Sequence, residues 1–319
     1  MPPAPEVSVV VATHNRARRL SILIESLESQ TMERERFEVV VVDDGSGDAT
    51  PEVLAEARER GDLELRVLRR EQAEGPASAR NEGWRAARAP LVALTDDDCV
   101  AGPRWLESGV AALASQPGCF VQGRTDPVPE ELHLLGPFSR TLRIHTLGPF
   151  FQTCNVFYTR EVLERVGGFD ASIFWGGEDA DLAWRAIASG AVPIFAEEAR
   201  VYHGVRQLGP LGKLRVAWRW TETMQIFARH PGLRRAQLTH GIFWKGSHYL
   251  LTRALVALVL PKRLVFLRAW LARPYFLHLL ERGKIEGGGP ALMPYFVVHD
   301  LVELAAALRG AIRYRTVVI

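Results

Sequence analysis

The stretch VSVVVATHNRARRLSILIESLESQTMERERFEVVVVDDGS (7–46) decides the fold, because it places a strand, a helix and a second strand one after another. Residues 7–13 form a continuous β-branched run that is typical of a buried parallel strand. Residues 16–30 repeat apolar side chains at helical spacing, and residues 37–46 then form a second such strand, which runs into Asp43 and Asp44. This stretch therefore predicts a sheet that is covered by helices.

The same alternation continues along the first third of the chain. It predicts a helix over 48–61, a strand over 63–70, a helix over 75–88 and a strand over 90–98. Units of this length imply an α/β fold with a mostly parallel sheet. Such sheets bind ligands beyond the carboxyl ends of their strands.

Polar residues follow these strand ends, and we expect them to converge. They are Thr13, His14 and Asn15 after the first strand, Asp43 and Asp44 after the second, and Asp96, Asp97 and Asp98 after the fourth. Three adjacent carboxylates repel one another, and their burial is costly unless a cation neutralises them. Mg²⁺ and Mn²⁺ accept carboxylate oxygens and keep positions open for phosphates. The spacing of Asp96 and Asp98 suits one shared metal; an ordinary acidic loop is the alternative.

Composition and the absence of other motifs narrow the class of protein. The chain has 319 residues, 47% of them hydrophobic, and a formal net charge of +2, so nothing in the total indicates a nucleic-acid partner. Three cysteines without a CxxC spacing fit a reducing compartment, and the amino-terminal residues lack the zones of a signal peptide. We therefore expect a cytoplasmic protein. Neither a P-loop nor a GxGxxG fingerprint occurs.

Six segments taken in order resemble the family 2 inverting glycosyltransferases of the GT-A fold. The segments are VSVVVATHNR (7–16), VVVDDGSGDAT (40–50), GPASARNEGWRAA (75–87), LTDDDC (94–99), GGFDASIFWGGEDADLAWRAIASG (167–190) and VYH (201–203). The resemblance covers roughly residues 6–205. It implies an enzyme that uses Mn²⁺ or Mg²⁺ and moves a sugar from a nucleotide-diphosphate donor to an acceptor hydroxyl with inversion.

The resemblance also implies roles for single residues around the donor. The residues that it places near the nucleotide sugar are Thr13, Asn15, Asp44, Arg80, Asp96 and Asp97. Asp96 and Asp98 match the DxD motif of the family, whose last acid touches the metal, and His203 is a candidate to complete the metal shell. Asp97 departs from the small residue that the family often has there.

A second acidic cluster lies in FWGGEDADLAWRAIASG (174–190). By the resemblance, Asp179 is the general base, Glu178 orients the acceptor or the base, and Trp175 is a flat platform for a sugar ring. Gly176 and Gly177 let the backbone approach a substrate closely. The alternative from the residues alone is that these acids only complement the dipole of a helix that starts here.

The composition changes after residue 205, so we expect a catalytic domain over 1–205 and a helical region over 206–319. The longest uncharged apolar run, Ala254–Leu260, is far shorter than the ~20 residues of a spanning helix. Basic residues beside Trp, Phe and Leu are typical of interfacial attachment. We expect a peripheral enzyme on the inner face of the cell membrane, with a lipid-linked or cell-envelope glycan as acceptor. Packing helices or a homo-oligomer contact are the alternatives.

Two other classes of protein remain as alternatives. A nucleotidyltransferase that makes a sugar nucleotide also uses a broad α/β fold, but it ordinarily has a glycine-rich basic loop near its first strand, and ATHNRARRL (12–20) has no glycine. A non-catalytic relative that binds a glycan or a nucleotide would most simply show itself by loss of the acids, which are present here.

Overall fold

The structure is a computed structural model that describes residues 4–116, 118–174 and 176–319. The chain divides into two compact units. The first unit comprises the residues up to 132 together with 141–174 and 178–205, and the second comprises 133–140, 175–177 and 206–319. The chain thus passes into the second unit for its last part after Val205.

The described residues form ten strands, of which eight make the sheet of the first unit. The strands are β1 (Val7–Thr13), β2 (Phe37–Asp43), β3 (Leu65–Arg69), β4 (Leu91–Asp96), β5 (Cys99–Ala101), β6 (Cys119–Pro127), β7 (Ser139–Arg140), β8 (Asn155–Thr159), β9 (Val192–His203) and β10 (Arg206–Gln207). The order in the large sheet is β3-β2-β1-β4-β8-β6-β9-β5, and β7 pairs with β10 in the second unit.

The sheet has a parallel half and a mixed half. β3, β2, β1 and β4 are mutually parallel, as the sequence predicts. β8 then joins antiparallel to both β4 and β6, β6 lies parallel to β9, and β5 lies antiparallel to β9. The predicted α/β class is confirmed, and the sheet is less uniformly parallel than the first four strands alone suggest.

Eleven α-helices lie among the described residues. Those of the first unit are α1 (Ala17–Glu28), α2 (Thr50–Arg60), α3 (Pro76–Ala86), α4 (Trp105–Ser115), α5 (Arg160–Val166) and α6 (Glu178–Ala188). Those of the second unit are α7 (Gly209–Arg229), α8 (Pro231–Gln237), α9 (Gly246–Val259), α10 (Val265–Ile285) and α11 (Met293–Arg313). The second unit is therefore helical, apart from the short β7–β10 pair.

The packing of α3 on the sheet shows how the core positions a functional side chain. The valines of β1 and β2 are fully buried, because helices cover both faces of this part of the sheet. A Cβ at Gly83 would lie 2.5 Å from Cγ1 of Val10, so only glycine lets α3 approach β1 this closely. This contact fixes α3 on the sheet and, with it, Arg80 one turn earlier on the same helix.

The second unit packs its helices around a small apolar core. Leu251, Tyr275, Leu279, Phe296 and Leu304 are buried together there. Within the described ranges, one helical stretch, Gly289–Arg313, is long and apolar enough to cross a membrane by length and composition alone. This stretch packs on α7 and buries Asp300 and Glu303.

Candidate active site

The carboxyl ends of three neighbouring parallel strands lie side by side in the first unit. Thr13 at the end of β1 pairs in register with Asp43 at the end of β2, and Ala12 pairs with Asp96 at the end of β4. The acidic segment after β4 is therefore next to the polar segments after β1 and β2. This is the edge at which open α/β sheets bind ligands.

Arg80 faces three carboxylates at this edge. Its Nη2 donates to Asp96 Oδ1 at 2.8 Å, and its Nη1 donates to Glu178 Oε1 at 3.1 Å and lies 3.7 Å from Asp179 Oδ1. Burial alone would lower the pKa of the buried Arg80 guanidinium, but the three acids raise it above its usual range. One guanidinium cannot neutralise three carboxylates, so this cluster keeps an excess of negative charge.

Asp179 is held by Thr153 as well as by Arg80. The backbone N–H and the hydroxyl of Thr153 donate to the two carboxylate oxygens of Asp179, at 3.2 and 3.0 Å. Burial, together with the charge of Glu178, raises the pKa of Asp179 to about 8, and Arg80 opposes this shift. A carboxylate that is oriented in this way and has a raised pKa is a stronger base than an exposed aspartate.

Asp98 and His203 meet because β5 pairs with β9. The register sets Cys99 opposite His203, so Asp98 lies directly beside the imidazole. His203 Nδ1 is 2.9 Å from the carbonyl oxygen of Gly204, which can only accept, so Nδ1 carries the proton. In the neutral ring, Nε2 is then an acceptor, and it lies 3.4 Å from another acceptor, Asp98 Oδ1.

A second aspartate–histidine pair in the first unit shows the contrast. His145 Nε2 donates directly to Asp126 Oδ1 at 2.7 Å, which is an ordinary hydrogen bond. The Asp98–His203 pair is wider by 0.7 Å, and Nδ1 of His203 is already used as a donor. A carboxylate oxygen and an imidazole nitrogen in this relation are a donor set that fits a divalent cation.

Neighbouring groups complete the surroundings of Asp98. Arg16 Nη1 lies 3.4 Å from Asp98 Oδ2. Cys99 is close to the pair, but burial raises the pKa of its thiol well above the ordinary value, so it stays protonated. Thr13 donates to Asp97 Oδ2 at 2.8 Å, and burial together with the charge of Asp98 raises the pKa of Asp97 to about 7.

Asp44 and Asn15 organise the loops that border the strand ends. Asp44 accepts hydrogen bonds from the backbone N–H groups of Glu74 and Gly75, at 3.0 and 2.8 Å, and from Arg70 at 3.2 Å. Gly75 has φ +94°, and a Cβ there would lie 2.7 Å from the ring of Phe174, so glycine is required. The side chain of Asn15 accepts from the backbone N–H of Gly47 at 2.8 Å.

The structure brings most of the predicted site residues together in the first unit. They are Thr13, Asn15, Asp44, Arg80, Asp96, Asp97, Asp98, Glu178, Asp179 and His203. Of the three predicted metal ligands, Asp98 and His203 face each other, whereas Asp96 pairs with Arg80. Gly176 and Gly177 belong to the second unit and have φ +122° and +106°. The predicted platform, Trp175, lies outside the described residues.

Sequence reasoning missed three polar residues of this site. Arg16 and Arg70 contact the predicted acids Asp98 and Asp44, and Thr153 orients Asp179. Arg16 follows directly on the polar segment after β1, so its position was a usable signal. Thr153 precedes β8 and has no motif around it, and only the fold brings it to Asp179.

Comparison with known proteins identifies the family to which this arrangement belongs. Residues 8–169, about half of the chain, match the profile of Glycosyl transferase family 2, and residues 137–203 match a profile described as the N-terminal domain of galactosyltransferase. The chain belongs to glycosyltransferase family 2.

Several characterised proteins are similar in sequence. Validoxylamine A glucosyltransferase of Streptomyces hygroscopicus subsp. jinggangensis is 34% identical over 58% of this chain and 52% of its own length. Pre-mycofactocin glycosyltransferase of Mycobacterium tuberculosis is 31% identical over 71% of this chain and 48% of its own length. Glycosyltransferase AglE of Haloferax volcanii is 29% identical over 66% of this chain and 70% of its own length. The match thus spans about half the length of the first two relatives.

Solved structures show the fold. The mannosyltransferase PcManGT of Pyrobaculum calidifontis, in complex with GDP-Man and Mn²⁺, matches with a TM-score of 0.63 at 22% identity, over 97% of this chain and 87% of that one. S. aureus TarS 1–349 in complex with UDP-GlcNAc matches with a TM-score of 0.54 at 17% identity, over 98% of this chain and 92% of that one. The chain therefore has the GT-A glycosyltransferase fold, as the sequence predicts.

Proposed function

We propose that the chain is a metal-dependent, inverting glycosyltransferase that uses a nucleotide-diphosphate sugar. The observation that carries this proposal is the unbalanced acidic site, in which Asp98 Oδ1 and His203 Nε2 lie 3.4 Å apart beside the Arg80 cluster. Family membership supports the reaction class. The neighbours solved with GDP-Man or UDP-GlcNAc support the donor class.

Asp98 and His203 would hold the divalent cation, Mn²⁺ or Mg²⁺. When bound, such an ion supplies positive charge opposite the departing diphosphate. The chain itself contributes the geometry, because the β5–β9 pairing fixes Asp98 beside His203 and the Gly204 carbonyl fixes the tautomer. Binding of the ion also compensates the negative charge that Asp96, Asp97 and Asp98 concentrate at the end of β4.

Asp179 is the proposed general base. It takes the proton of the acceptor hydroxyl while the oxygen bonds to the anomeric carbon and the bond from that carbon to the diphosphate oxygen breaks. A single in-line displacement of this kind inverts the anomeric configuration. Thr153 orients the carboxylate, and Arg80 lies within ion-pair distance of both Glu178 and Asp179. A base of this type contributes ~10²–10⁴-fold in rate.

The loops held by Asp44 and Asn15 are the proposed nucleotide cradle. Asp44 ties the end of β2 to the loop before α3, and Asn15 ties the end of β1 to the loop before α2. Thr13 and Asp97 lie between them at the adjoining strand ends. This arrangement supports contacts to the base and ribose of the donor.

The acceptor is proposed to be a lipid-linked or membrane-proximal glycan, and the protein a peripheral one on the cytoplasmic face of the cell membrane. All three cysteines are buried and free, which suits a reducing compartment. The second unit exposes large apolar side chains among basic ones, which suits an interfacial attachment. A homo-oligomer contact through the same unit is the competing explanation.

Calorimetric titration of UDP-, GDP- and dTDP-sugars tests the metal-dependent donor site. The best donor should bind in Mn²⁺ or Mg²⁺ and lose at least tenfold in affinity in EDTA or in the Asp98→Asn protein. Asp126→Asn is the matched control, because it alters the other aspartate–histidine pair and should leave donor binding unchanged. Donor binding that ignores both EDTA and Asp98→Asn would refute the metal assignment.

Product analysis then separates the remaining alternatives. A glycosyltransferase should release the nucleoside diphosphate and form a glycoside of inverted configuration. A nucleotidyltransferase would instead release pyrophosphate from a nucleoside triphosphate, and a non-catalytic relative would bind the donor without turnover.

A further inference from the structure

The hairpin of α9 and α10 in the second unit has a defined geometry at its tip. The two helices run antiparallel and are joined through a 3₁₀ turn at Lys262–Leu264. The guanidinium of Arg253 lies 4.8 Å from the ring centre of Trp270, and Arg268 Nε donates to the carbonyl oxygen of Ala257 at 2.9 Å. These contacts hold the last turns of α9 against the first turns of α10. We call residues 255–270 the hairpin tip.

The hairpin tip exposes a contiguous set of large apolar side chains. Phe266 is 89% exposed, Val259 82% and Trp270 64%. The other large apolar side chains of the tip that are exposed are Leu255, Val256, Leu258, Leu264, Val265 and Leu267. Single exposed apolar residues are normal, but a cluster within one short segment marks an interaction site.

The charges around the tip have a single sign. No aspartate or glutamate occurs between Glu222 and Glu281, although basic residues recur throughout that stretch. The basic residues at the tip and within about a turn of it are Arg253, Lys262, Arg263, Arg268 and Arg273. In the part of the chain that the structure describes, none of these five forms an ion pair with a carboxylate. The tip therefore offers an apolar surface that is ringed by uncompensated positive charge.

This chemistry fits the surface of an anionic bilayer. Apolar side chains enter the boundary between headgroups and acyl chains, Trp prefers the interface, and lysines and arginines stay at the level of the phosphates. A second copy of the chain fits poorly, because a two-fold contact would set Lys262, Arg263 and Arg268 of one tip against those of the other. An acidic protein would satisfy the charges but leaves the exposed Phe266 and Val259 without a reason to lie at the apex.

We propose that the hairpin tip is a membrane-insertion surface for anionic lipid. This proposal specifies the surface for the membrane-proximal function proposed above, and the biological purpose of the attachment rests on that function. The attachment itself can be measured without donor or acceptor. The tip belongs to the second unit alone, whereas the acidic site belongs to the first.

Co-sedimentation of the full chain with vesicles tests the proposal. The protein should pellet with vesicles that contain phosphatidylglycerol and phosphatidylcholine, much less with phosphatidylcholine alone, and less again in high salt. Phe266→Ser combined with Trp270→Ser should weaken the partition about tenfold or more. Leu211→Ser combined with Ile312→Ser is the matched control, because these side chains are 70% and 80% exposed outside the tip, and it should bind like the unchanged protein.

A charge pair completes the test. The double variant Lys262→Glu, Arg263→Glu should abolish the preference for phosphatidylglycerol. The control is Arg58→Glu with Arg104→Glu, which changes the net charge equally at exposed residues of the first unit and should keep that preference. The proposal is overturned if the unchanged protein ignores anionic vesicles at low salt, or if the tip variants bind as well as their controls. If the unchanged protein is a dimer in ultracentrifugation, and only the tip variants are monomers, the tip is a self-contact instead. Calorimetric donor binding, run on every variant, reports separately on the function of the first unit.

Discussion

The two units both bury carboxylates, and they neutralise them in opposite ways. In the first unit, the guanidinium of Arg80 is shared among Asp96, Glu178 and Asp179. In the second unit, Arg282 Nη1 lies 2.7 Å from Asp300 Oδ1, and Lys245 Nζ lies 2.5 Å from Glu303 Oε1. The buried Arg80 cluster of the first unit therefore has more acids than cations, whereas Asp300 and Glu303 in the second unit each have a cation of their own.

The pKa values follow this difference. Burial alone would raise the pKa of both acids of the second unit. The imidazole of His299 and the charge of Arg282 nevertheless hold the pKa of Asp300 below its usual range, and His248 and Lys245 lower that of Glu303 to about 2. Asp179 in the first unit shifts the other way, to about 8. Although His299, Asp300 and Glu303 lie as close together as metal ligands, their carboxylates already have cationic partners. An excess of buried carboxylates, rather than their mere proximity, indicates a cation site.

The largest expected effect concerns the Arg80 cluster of the first unit, where acids outnumber cations. Asp179→Asn keeps the size of the side chain but removes its basicity, so turnover should fall by ~10²–10⁴-fold while donor affinity is retained. The rate of the unchanged enzyme should rise with pH as Asp179 loses its proton. The pH–rate profile of the variant should lack this acidic limb. Steady-state kinetics and donor titration measure both quantities. Asp181→Asn on the same helix removes the negative charge that pairs with Arg185 instead, and it should lower stability more than turnover.

Near-normal turnover in the Asp179→Asn protein would show that the base lies elsewhere. Glu178, which shares Arg80, would then be the next residue to test.

The next effect concerns the Lys245–Glu303 pair of the second unit, in which one cation faces one acid. Glu303→Ala leaves the partly exposed Lys245 without its carboxylate partner, which should lower the free energy of unfolding by about 1–3 kcal/mol. Because the folded pKa of Glu303 is lowered, its contribution is present above the unfolded value of 4.5 and is lost as pH falls toward 2. The difference between variant and unchanged protein should therefore shrink in acid. Urea unfolding at pH 7 and at pH 3 measures it, and equal losses at both values would contradict the assignment.

The smallest expected effect concerns the influence of the Glu178 charge on the pKa of Asp179. Glu178→Gln keeps a hydrogen-bond acceptor for Arg80 but removes one negative charge beside Asp179, and that charge is one cause of the raised pKa. The acidic limb of the pH–rate profile should move to lower pH by up to about one unit. Glu303→Gln is the control and should leave the limb where it is. An unmoved limb in Glu178→Gln would mean that burial alone sets the pKa of Asp179.

The sequence predicts the parallel half of the sheet well, because each strand there carries its own local signal. The β-branched runs at 7–13 and 37–43 and the amphipathic helix between them determine β1, α1 and β2 without any distant contact. The acids at the strand ends were predictable for the same reason. The mixed half depends on pairing between distant segments, such as β5 with β9, and no local pattern specifies that partner.

The residues of the site also divide into those that a local motif indicates and those that only the fold brings into contact. Asp96, Asp98 and Asp179 stand out from the sequence as acids in motifs, whereas their partners Arg16 and Thr153 do not. The sharing of Arg80 by three carboxylates follows from the approach of α3 to β1, which the glycine at position 83 permits. Residue type and spacing therefore indicated the chemistry, and packing decided which groups balance one another.

The β5–β9 pairing has a consequence for the order in which the enzyme becomes active during its synthesis. Asp98 leaves the ribosome well before His203, and residues between them form strands β6 and β8 and the helix that carries Asp179. A nascent chain therefore has its acids at the end of β4 long before it has the histidine beside them. The complete pair forms only when translation has passed Gly204, whose carbonyl fixes the ring, so a chain that ends before this point has the acids without the pair.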